Sequence, residues 1–527
     1  MENEKHIVTY LLKGDLNGIQ RFIFNVQTKG AAKSLKAKSY YIQLIGELFE
    51  NVCHENLNKK SIQTESFYNG GGNFFIKIFS EFDIRPAIDD LQKSINKTLL
   101  HDEIDIVLTY EILSDDFSVT WNKLLQKSNK EKYKRYSKSM ALFQPFLYSF
   151  VENEKKENCF SHYLEKELNE HNDLYKEITR ELVKHDFITV DMLEQNVSKS
   201  DFNQSITNKL PFWSYYPEKE EYRKYRKRQD KKSGDLEENH LIDFNGFGDF
   251  AAHRTGTGKL GILKMDVDNL GKIFGSDVKD PDQAKELSIR MKSFFDKDLY
   301  EIWETEDYKS DIYPVFAGGD DCFIVGAWDK LITFAYTVRN AFHEIFNGKY
   351  TLSAGIIITD PTYPVVAFAE EAEKAVKKAK RKPVYSNTHT KKNAVCLFNE
   401  VFSWDEFGKI IKLAEVLTKQ INEEKLERSF LEKIRLSAKG FGALQQQILK
   451  KDKLEMPKIW RLRYYLGRKK DDKEFEEIIE KLFQPYWEAL YNALTENEAT
   501  NPAIYPVAAR IADLSTRKLL NYDQENE

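Results

Sequence analysis

The sequence predicts an α+β chain: two ferredoxin-like domains, a mostly helical middle domain between them, and a C-terminal helical bundle. Three observations lead there. "LLKGDLNGIQRFIF" (11–24) and "ILKMDVDNLGKIFG" (262–275) align without a gap, each an apolar strand carrying an aspartate, Asp15 or Asp266, then a polar turn and the start of an amphipathic helix. About 55 residues after Asp15 comes "YNGGGNFFIKI", and about 52 after Asp266 comes "VFAGGDDCFIV", each a glycine-rich turn between two strand-like runs. Both halves therefore read strand, helix, strand, turn, strand, helix, strand, the order of a split βαβ sheet covered by helices.

In the first copy, "AKSYYIQLIGELFENVCHE" and "IRPAIDDLQKSINKTLL" have helical spacing, and "DIVLTYEIL" is the closing strand, giving a domain over 1–114. Residues 115–255 are charged and largely helical, ending in the loop-rich "LIDFNGFGDFAAHRTGTGK". The second copy occupies 256–402: "KELSIRMKSFFDKDLYEIW" and "LITFAYTVRNAFHEIF" are helices, "YTLSAGIIIT" a strand, and "FAEEAEKAVKKAKRK" a helix with a basic end. From 403 to 527, "WDEFGKIIKLAEVLTKQI", "RSFLEKIRLSAKGFGALQQQIL", "IWRLRYYLGRK" and "EFEEIIEKLFQPYWEALYNAL" are amphipathic and predict the bundle.

With 527 residues, 41% of them hydrophobic and 13% aromatic, the chain can bury several cores despite a charged fraction of 31%. A net charge of -5 gives no global sign of nucleic-acid binding, so basic patches have to be sought locally. The four cysteines, Cys53, Cys159, Cys322 and Cys396, are scattered, which suits a reducing cytoplasm better than a disulfide or zinc framework. The polar N-terminus is unlike a signal peptide, and no apolar run approaches the ~20 residues that span a bilayer.

The copies differ where chemistry is expected. Gly72 and Asn73 stand where the second copy has Asp320 and Asp321. Adjacent carboxylates on a tight turn repel unless a cation lies between them, and Asp266 supplies a third hard oxygen donor, a set that suits two Mg²⁺ or Mn²⁺ ions. Gly318 and Gly319 allow the turn and leave the backbone open to a phosphate. Lys377 and Lys380 at the basic helix end could clamp a triphosphate. The competing reading is an ordinary hairpin turn, with Asp268 and Asn269 as helix caps and the lysines as a solvated face.

These residues resemble the large palm-domain subunit of type III CRISPR-Cas effector complexes. "GDLNGIQRFIF", "KGAAKSLKAKSYYIQLI", "NGGGNFFIKI", "LGILKMDVDNLGKIFG", "FAGGDDCFIVG", "LSAGI", "AEKAVKKAK" followed by "KKNAV", and "RSFLEKI" carry the likeness. It implies two palm domains facing each other across a nucleotide site, where ATP becomes cyclic oligoadenylate when a guide-RNA complex captures target RNA. Asp266, Asp320 and Asp321 would hold the metals, Gly318, Gly319 and Asn269 would contact the nucleotide, and Gly70, Gly71 and Gly72 would line the acceptor side. The implied partners are the other complex subunits, guide RNA and target RNA, with no membrane. Many such subunits begin with an HD nuclease; here the first palm begins within the first ten or so residues, and neither His101-Asp102 nor His185-Asp186 has evident ligand partners, so nuclease activity is not expected. Such subunits also often carry a four-cysteine zinc site between the palms. Only Cys159 falls there, so the middle domain is expected to be metal-free.

Some nuclease-less members are thought to join ATP to S-adenosylmethionine, a second reading of the same site. A stand-alone cyclase and a nucleotide-binding scaffold are further alternatives. Two basic stretches with tyrosines, "KGAAKSLKAKSYY" and "EYRKYRKRQDKK", could bind RNA, and Lys29, Lys33, Lys36 and Lys38 are the candidates in the first.

Overall fold

A computed structural model describes residues 7–26, 31–99, 104–133, 242–305, 307–381, 392–437 and 503–517, with positions 462, 464, 484–486, 488 and 501; within parts of two helices it describes the backbone alone. Apart from those single positions, the predicted helices between 438 and 500 therefore lie outside the described residues, as do most of 115–255, Lys29, Cys159, His101 and His185.

The chain divides into two compact units, one of Met1–Pro211, Asn269–Glu304 and Pro314–Phe323, the other of Phe212–Asp268, Thr305–Tyr313 and Ile324–Glu527. In the first, strands β1 (Val8–Asn17), β2 (Gln63–Gly70), β3 (Asn73–Ser80) and β4 (Asp105–Ile112) form an antiparallel sheet in the order β2-β3-β1-β4. This is the split βαβ topology the repeat predicts. Leu11, Leu12, Phe74, Ile76 and Ile78 are fully buried in it. Gly14 is required by the register: it lies opposite Phe74, and a Cβ would fall 2.1 Å from that ring.

The helix Ala31–Lys59 is fastened to the short helix Ile19–Phe24 by a buried cation, since Lys38 donates to the carbonyls of Phe22 (2.9 Å) and Asn25 (2.8 Å) and lies over the Phe22 ring. Phe24 then packs on Phe323, with ring centroids 4.5 Å apart. On the helix Phe117–Tyr133, Trp121 stacks against Phe75 and lies beside Phe274. Asp15, the counterpart of Asp266, is buried and holds Lys13 (2.6 Å), Lys132 (2.7 Å) and Ser128 (2.8 Å). Burial opposes its ionisation, but the two ammonium groups prevail and lower its pKa.

The second sheet has β5 (Leu260–Val267), β6 (Ile312–Gly318), β7 (Asp321–Ala327), β8 (Leu352–Thr359), β9 (Ala394–Leu397) and β10 (Glu400–Ser403) in the order β10-β9-β8-β5-β7-β6. Its β8-β5-β7-β6 portion repeats the topology of the first sheet, and β9 adds parallel to β8. The helix Val365–Arg381 lies against β8 because Gly355 has no side chain: a Cβ there would be 2.7 Å from Ala375 Cβ. Arg254 joins Asp311 and Asp329 (2.8 and 2.7 Å), and Trp328 donates to the Thr257 carbonyl. A capping box at Ser403 and Glu406 starts the helix Trp404–Asn422, which packs with Ile504–Ser515 and so begins the expected C-terminal helical region.

The helix predicted over 285–303 is interrupted. It runs as Pro281–Ser293, widens into a π-helical turn at Phe294–Asp298 and resumes at Leu299–Trp303. Such widened turns reorient the side chains they carry. No described helix is long and apolar enough to cross a membrane.

Candidate active site

The glycine turns of the two copies lie together within the first unit. Gly71 and Gly72 have φ of 62° and 78°, and Gly319 has φ of 70°, left-handed values that glycine adopts without a Cβ clash. The backbones approach closely: a Cβ on Gly319 would stand 3.1 Å from Gly71 Cα, and one on Gly71 would be 3.9 Å from Asp320 Oδ1. Gly318 is different. A Cβ there meets nothing within 4 Å, so its surroundings are open.

Beside these turns is a cavity of about 200 Å³ lined by Gly70–Gly72, Gly318, Gly319 and Asp321, with Ile19, Ile23 and Phe316 forming an apolar side. Polar residues outside the sequence prediction also line it: Gln20, Ser39, Asn69, Lys292 and Asp296. Asn69 precedes the first glycine turn, and Lys292 and Asp296 come from the interrupted helix. Tyr68, next to the first glycine turn, places its hydroxyl between the turns, 2.6 Å from where a Gly70 Cβ would be and 3.4 Å from where a Gly319 Cβ would be. Burial, with Asp320, Asp296 and Asp321 nearby, pushes the Tyr68 phenol well above its usual range. Burial likewise lifts Asp296 to about 6, against the pull of Lys292.

Asn69 is held from behind. Its Nδ2 donates to Glu50 Oε2 (2.6 Å) and to the Gly46 carbonyl (3.2 Å), while Glu50 Oε1 also accepts from Ser66 (2.5 Å). These bonds and His54 depress the Glu50 pKa although burial opposes them.

In the second unit, Asp266 at the end of β5 is paired with Lys380, 2.7 Å away; Lys380 also reaches the Val267 carbonyl (3.4 Å). Lys377 is largely exposed and pairs with Glu373, which also holds Lys264. Asp268 does not cap a helix. It is buried and accepts from Thr351 (2.8 Å), Ser353 (2.7 Å) and the Asn393 amide (2.9 Å), and burial raises its pKa despite these bonds. Asn269, in the first unit, takes the N-cap position with φ of 61° but makes no side-chain cap bond. Of the proposed RNA ligands, Lys38 is the buried fastener described above, whereas the side chains of Lys33 and Lys36 lie outside the described set.

The carboxylate set Asp266, Asp320 and Asp321 fits a hard divalent cation in chemistry. Among the described residues no group of three or more His, Cys, Asp or Glu is gathered to hold one.

Comparison with known proteins matches residues 259–396 to the second palm domain of Cas10/Cmr2 and 8–148 to domain B of the Csm1 subunit. The chain is 27% identical to the single-strand-specific deoxyribonuclease Cas10/Csm1 (subtype III-A) of Methanocaldococcus jannaschii, over 80% of this chain and 65% of that protein. It is 24% identical to the Mycobacterium tuberculosis Cas10/Csm1, over 78% of this chain and 56% of the relative. It thus spans less than two thirds of either relative's length. In fold it is similar to the Csm1–Csm4 cassette solved with cA4 (TM-score 0.60, 18% identity, 97% of this chain and 70% of that one). The cassette solved with one ATP is equally similar (TM-score 0.61, 18% identity, 98% and 70%). With models of this family matching both glycine-turn domains and relatives aligned along most of the chain, the protein belongs to the Cas10/Csm1 family of type III-A CRISPR systems.

Proposed function

We propose that this chain is a nucleotidyltransferase subunit of a type III CRISPR effector complex, converting ATP to cyclic oligoadenylate with release of pyrophosphate when target RNA is captured. The observation that carries this reading is the meeting of the Gly70–Gly72 and Gly318–Asp321 turns beside one cavity. That relatives of the same fold were solved with ATP and with cA4 supports it.

In this reading a ribose hydroxyl of the acceptor nucleotide attacks the α-phosphorus of ATP. A new P–O bond forms, the bond from that phosphorus to the bridging oxygen breaks, and pyrophosphate departs while the hydroxyl proton passes to a nearby base or to water. Divalent ions bound by Asp266, Asp320 and Asp321 would supply activation of the hydroxyl and neutralisation of the leaving group. The grouping of Asp266 with the pair is supported by the first copy, where its counterpart Asp15 stands directly opposite Asn73, the counterpart of Asp321. The open surroundings of Gly318 and the glycine backbone admit phosphate oxygens close to peptide N–H groups. Lys380 and Lys377 lie on one helix end and supply positive charge for the triphosphate. Other complex subunits and guide RNA would be the partners, with Lys29, Lys33 and Lys36 as RNA contacts.

The test is reconstitution with the other subunits and guide RNA, then labelled ATP and Mg²⁺ or Mn²⁺ with and without matching target RNA and S-adenosylmethionine, with products resolved by mass. Target-dependent oligoadenylate is expected. A product formed only with S-adenosylmethionine would keep the metal chemistry and change the acceptor; no pyrophosphate under any condition would make the chain a scaffold.

A further inference from the structure

Each copy of the duplicated fold carries a lysine and an aspartate on its first strand and a lysine on the helix after its fourth, and the two copies pair these charges differently. Lys13 and Asp15 on β1 align with Lys264 and Asp266 on β5. The two helices correspond as well: Phe117, Thr120, Leu124 and Ser128 are buried on Phe117–Tyr133, and Val365, Phe368, Ala372 and Val376 are buried at the same spacing on Val365–Arg381. That register sets Lys132 against Lys380 and Leu125 against Glu373. Lys132 and Lys380 behave alike, each ending 2.7 Å from its own copy's aspartate. The strand lysines do not. Lys13 turns along β1 onto Asp15, 2.6 Å away, whereas Lys264, buried at the matching place, reaches across to Glu373, 2.5 Å away. Where the second copy has Glu373 the first has Leu125, so that position offers Lys13 no carboxylate.

We infer that Glu373 is a positioning residue that keeps Asp266 open to a divalent cation by drawing the Lys264 ammonium away from it. This rests on the metal-binding reading above. Side chains two apart on a strand share a face, and the Lys13–Asp15 pair shows that the reach between them is sufficient. A buried ammonium needs a partner, so without Glu373 the carboxylate on its own strand, Asp266, takes it. Asp266 then carries two ammonium groups, as Asp15 does, and an incoming cation has to displace both. Burial opposes the ionisation of Glu373, but Lys264 and, at 3.0 Å, Lys377 outweigh it and lower its pKa, so the glutamate holds its charge for this task.

The experiment measures equilibrium Mn²⁺ binding to the full-length chain, at the site that Asp266→Ala abolishes, with thermal unfolding as the fold control. Glu373→Leu, which copies the first domain, should weaken binding about tenfold. Adding Lys264→Met to that variant should restore the affinity, because the competing ammonium is gone, whereas adding Lys377→Met instead should leave the loss in place. A glutamate with a merely structural role gives no such selective rescue. If Glu373→Leu does not fold, Glu373→Gln, which keeps the shape and an acceptor, should show a smaller loss with the same rescue. An unchanged Mn²⁺ affinity in a folded variant, or a loss that Lys264→Met does not reverse, overturns the inference while the metal site stands. If the wild type shows no saturable Mn²⁺ binding that depends on Asp266, the inference and the metal-binding reading fall together.

Discussion

Gly71 and Gly319 meet backbone against backbone, with only 3.1 Å between the Gly71 Cα and the place a Gly319 Cβ would take. One turn comes from each copy of the duplicated fold, so this approach between the copies' hairpins is made by residues without side chains. Room for a ligand is created there by omission, and the carboxylates follow immediately in only one of the two turns.

Gly319→Ala should therefore be costly and Gly318→Ala cheap for the fold. Alanine at 319 meets both the Gly71 backbone and a φ of 70°, a cost of about 1–3 kcal/mol. Alanine at 318 meets nothing within 4 Å. Thermal unfolding should show a drop for the first only, while ATP affinity should fall in both, because a methyl at 318 takes space assigned to phosphate.

Asp268→Ala should destabilise without touching the chemistry directly. It leaves the Thr351 and Ser353 hydroxyls and the Asn393 amide without their acceptor in a buried place, a loss of about 2–4 kcal/mol. Denaturant unfolding of the full chain should register it, and a midpoint equal to wild type would contradict the assignment.

Lys380→Met separates two roles of one ammonium group. While Lys380 occupies Asp266 it competes with any divalent cation for that carboxylate. Its removal should tighten Mn²⁺ binding up to about fivefold, as expected for a partly exposed pair, and weaken ATP binding. Calorimetric titrations with each ligand would show the opposite signs.

Asp296 makes stability depend on pH. Its folded pKa of about 6 lies above the unfolded value near ~3.9, so between those values the folded chain holds the extra proton. This contribution to stability is present in full below the unfolded pKa and is lost as pH rises through about 6. Asp296→Asn should match wild type at pH ~4 and exceed it by about 1–3 kcal/mol at pH ~7, measured in chelator-treated buffer. Equal pH profiles would contradict the burial argument.

Much of this was legible in the sequence because periodicity and duplication are local signals. The order from β1 to β8 and the alignment of Asp15 with Asp266 follow from spacing alone, and the sheets carry the same topology. Four-residue strands such as β9 and β10 are too short for a period to register. The π-helical turn at Phe294–Asp298 is invisible because the apolar spacing continues through it. Asn69, Tyr68, Lys292 and Asp296 gain meaning only from distant neighbours. Lys38 looked like one of several basic residues beside tyrosines, yet the carbonyls of Phe22 and Asn25 give its charge an internal partner. The Asp268 carboxylate similarly finds β8 before it finds a helix N-terminus.

The most direct test of the central claim, that the Gly318–Asp321 turn is a reaction centre, is pyrophosphate release from ATP by the assembled complex with target RNA. Wild type should be compared with the Asp320→Ala, Asp321→Ala double variant, whose folding is verified by thermal unfolding. A loss of at least about a hundredfold in a folded variant is predicted. Pyrophosphate release at the wild-type rate from that variant would contradict it.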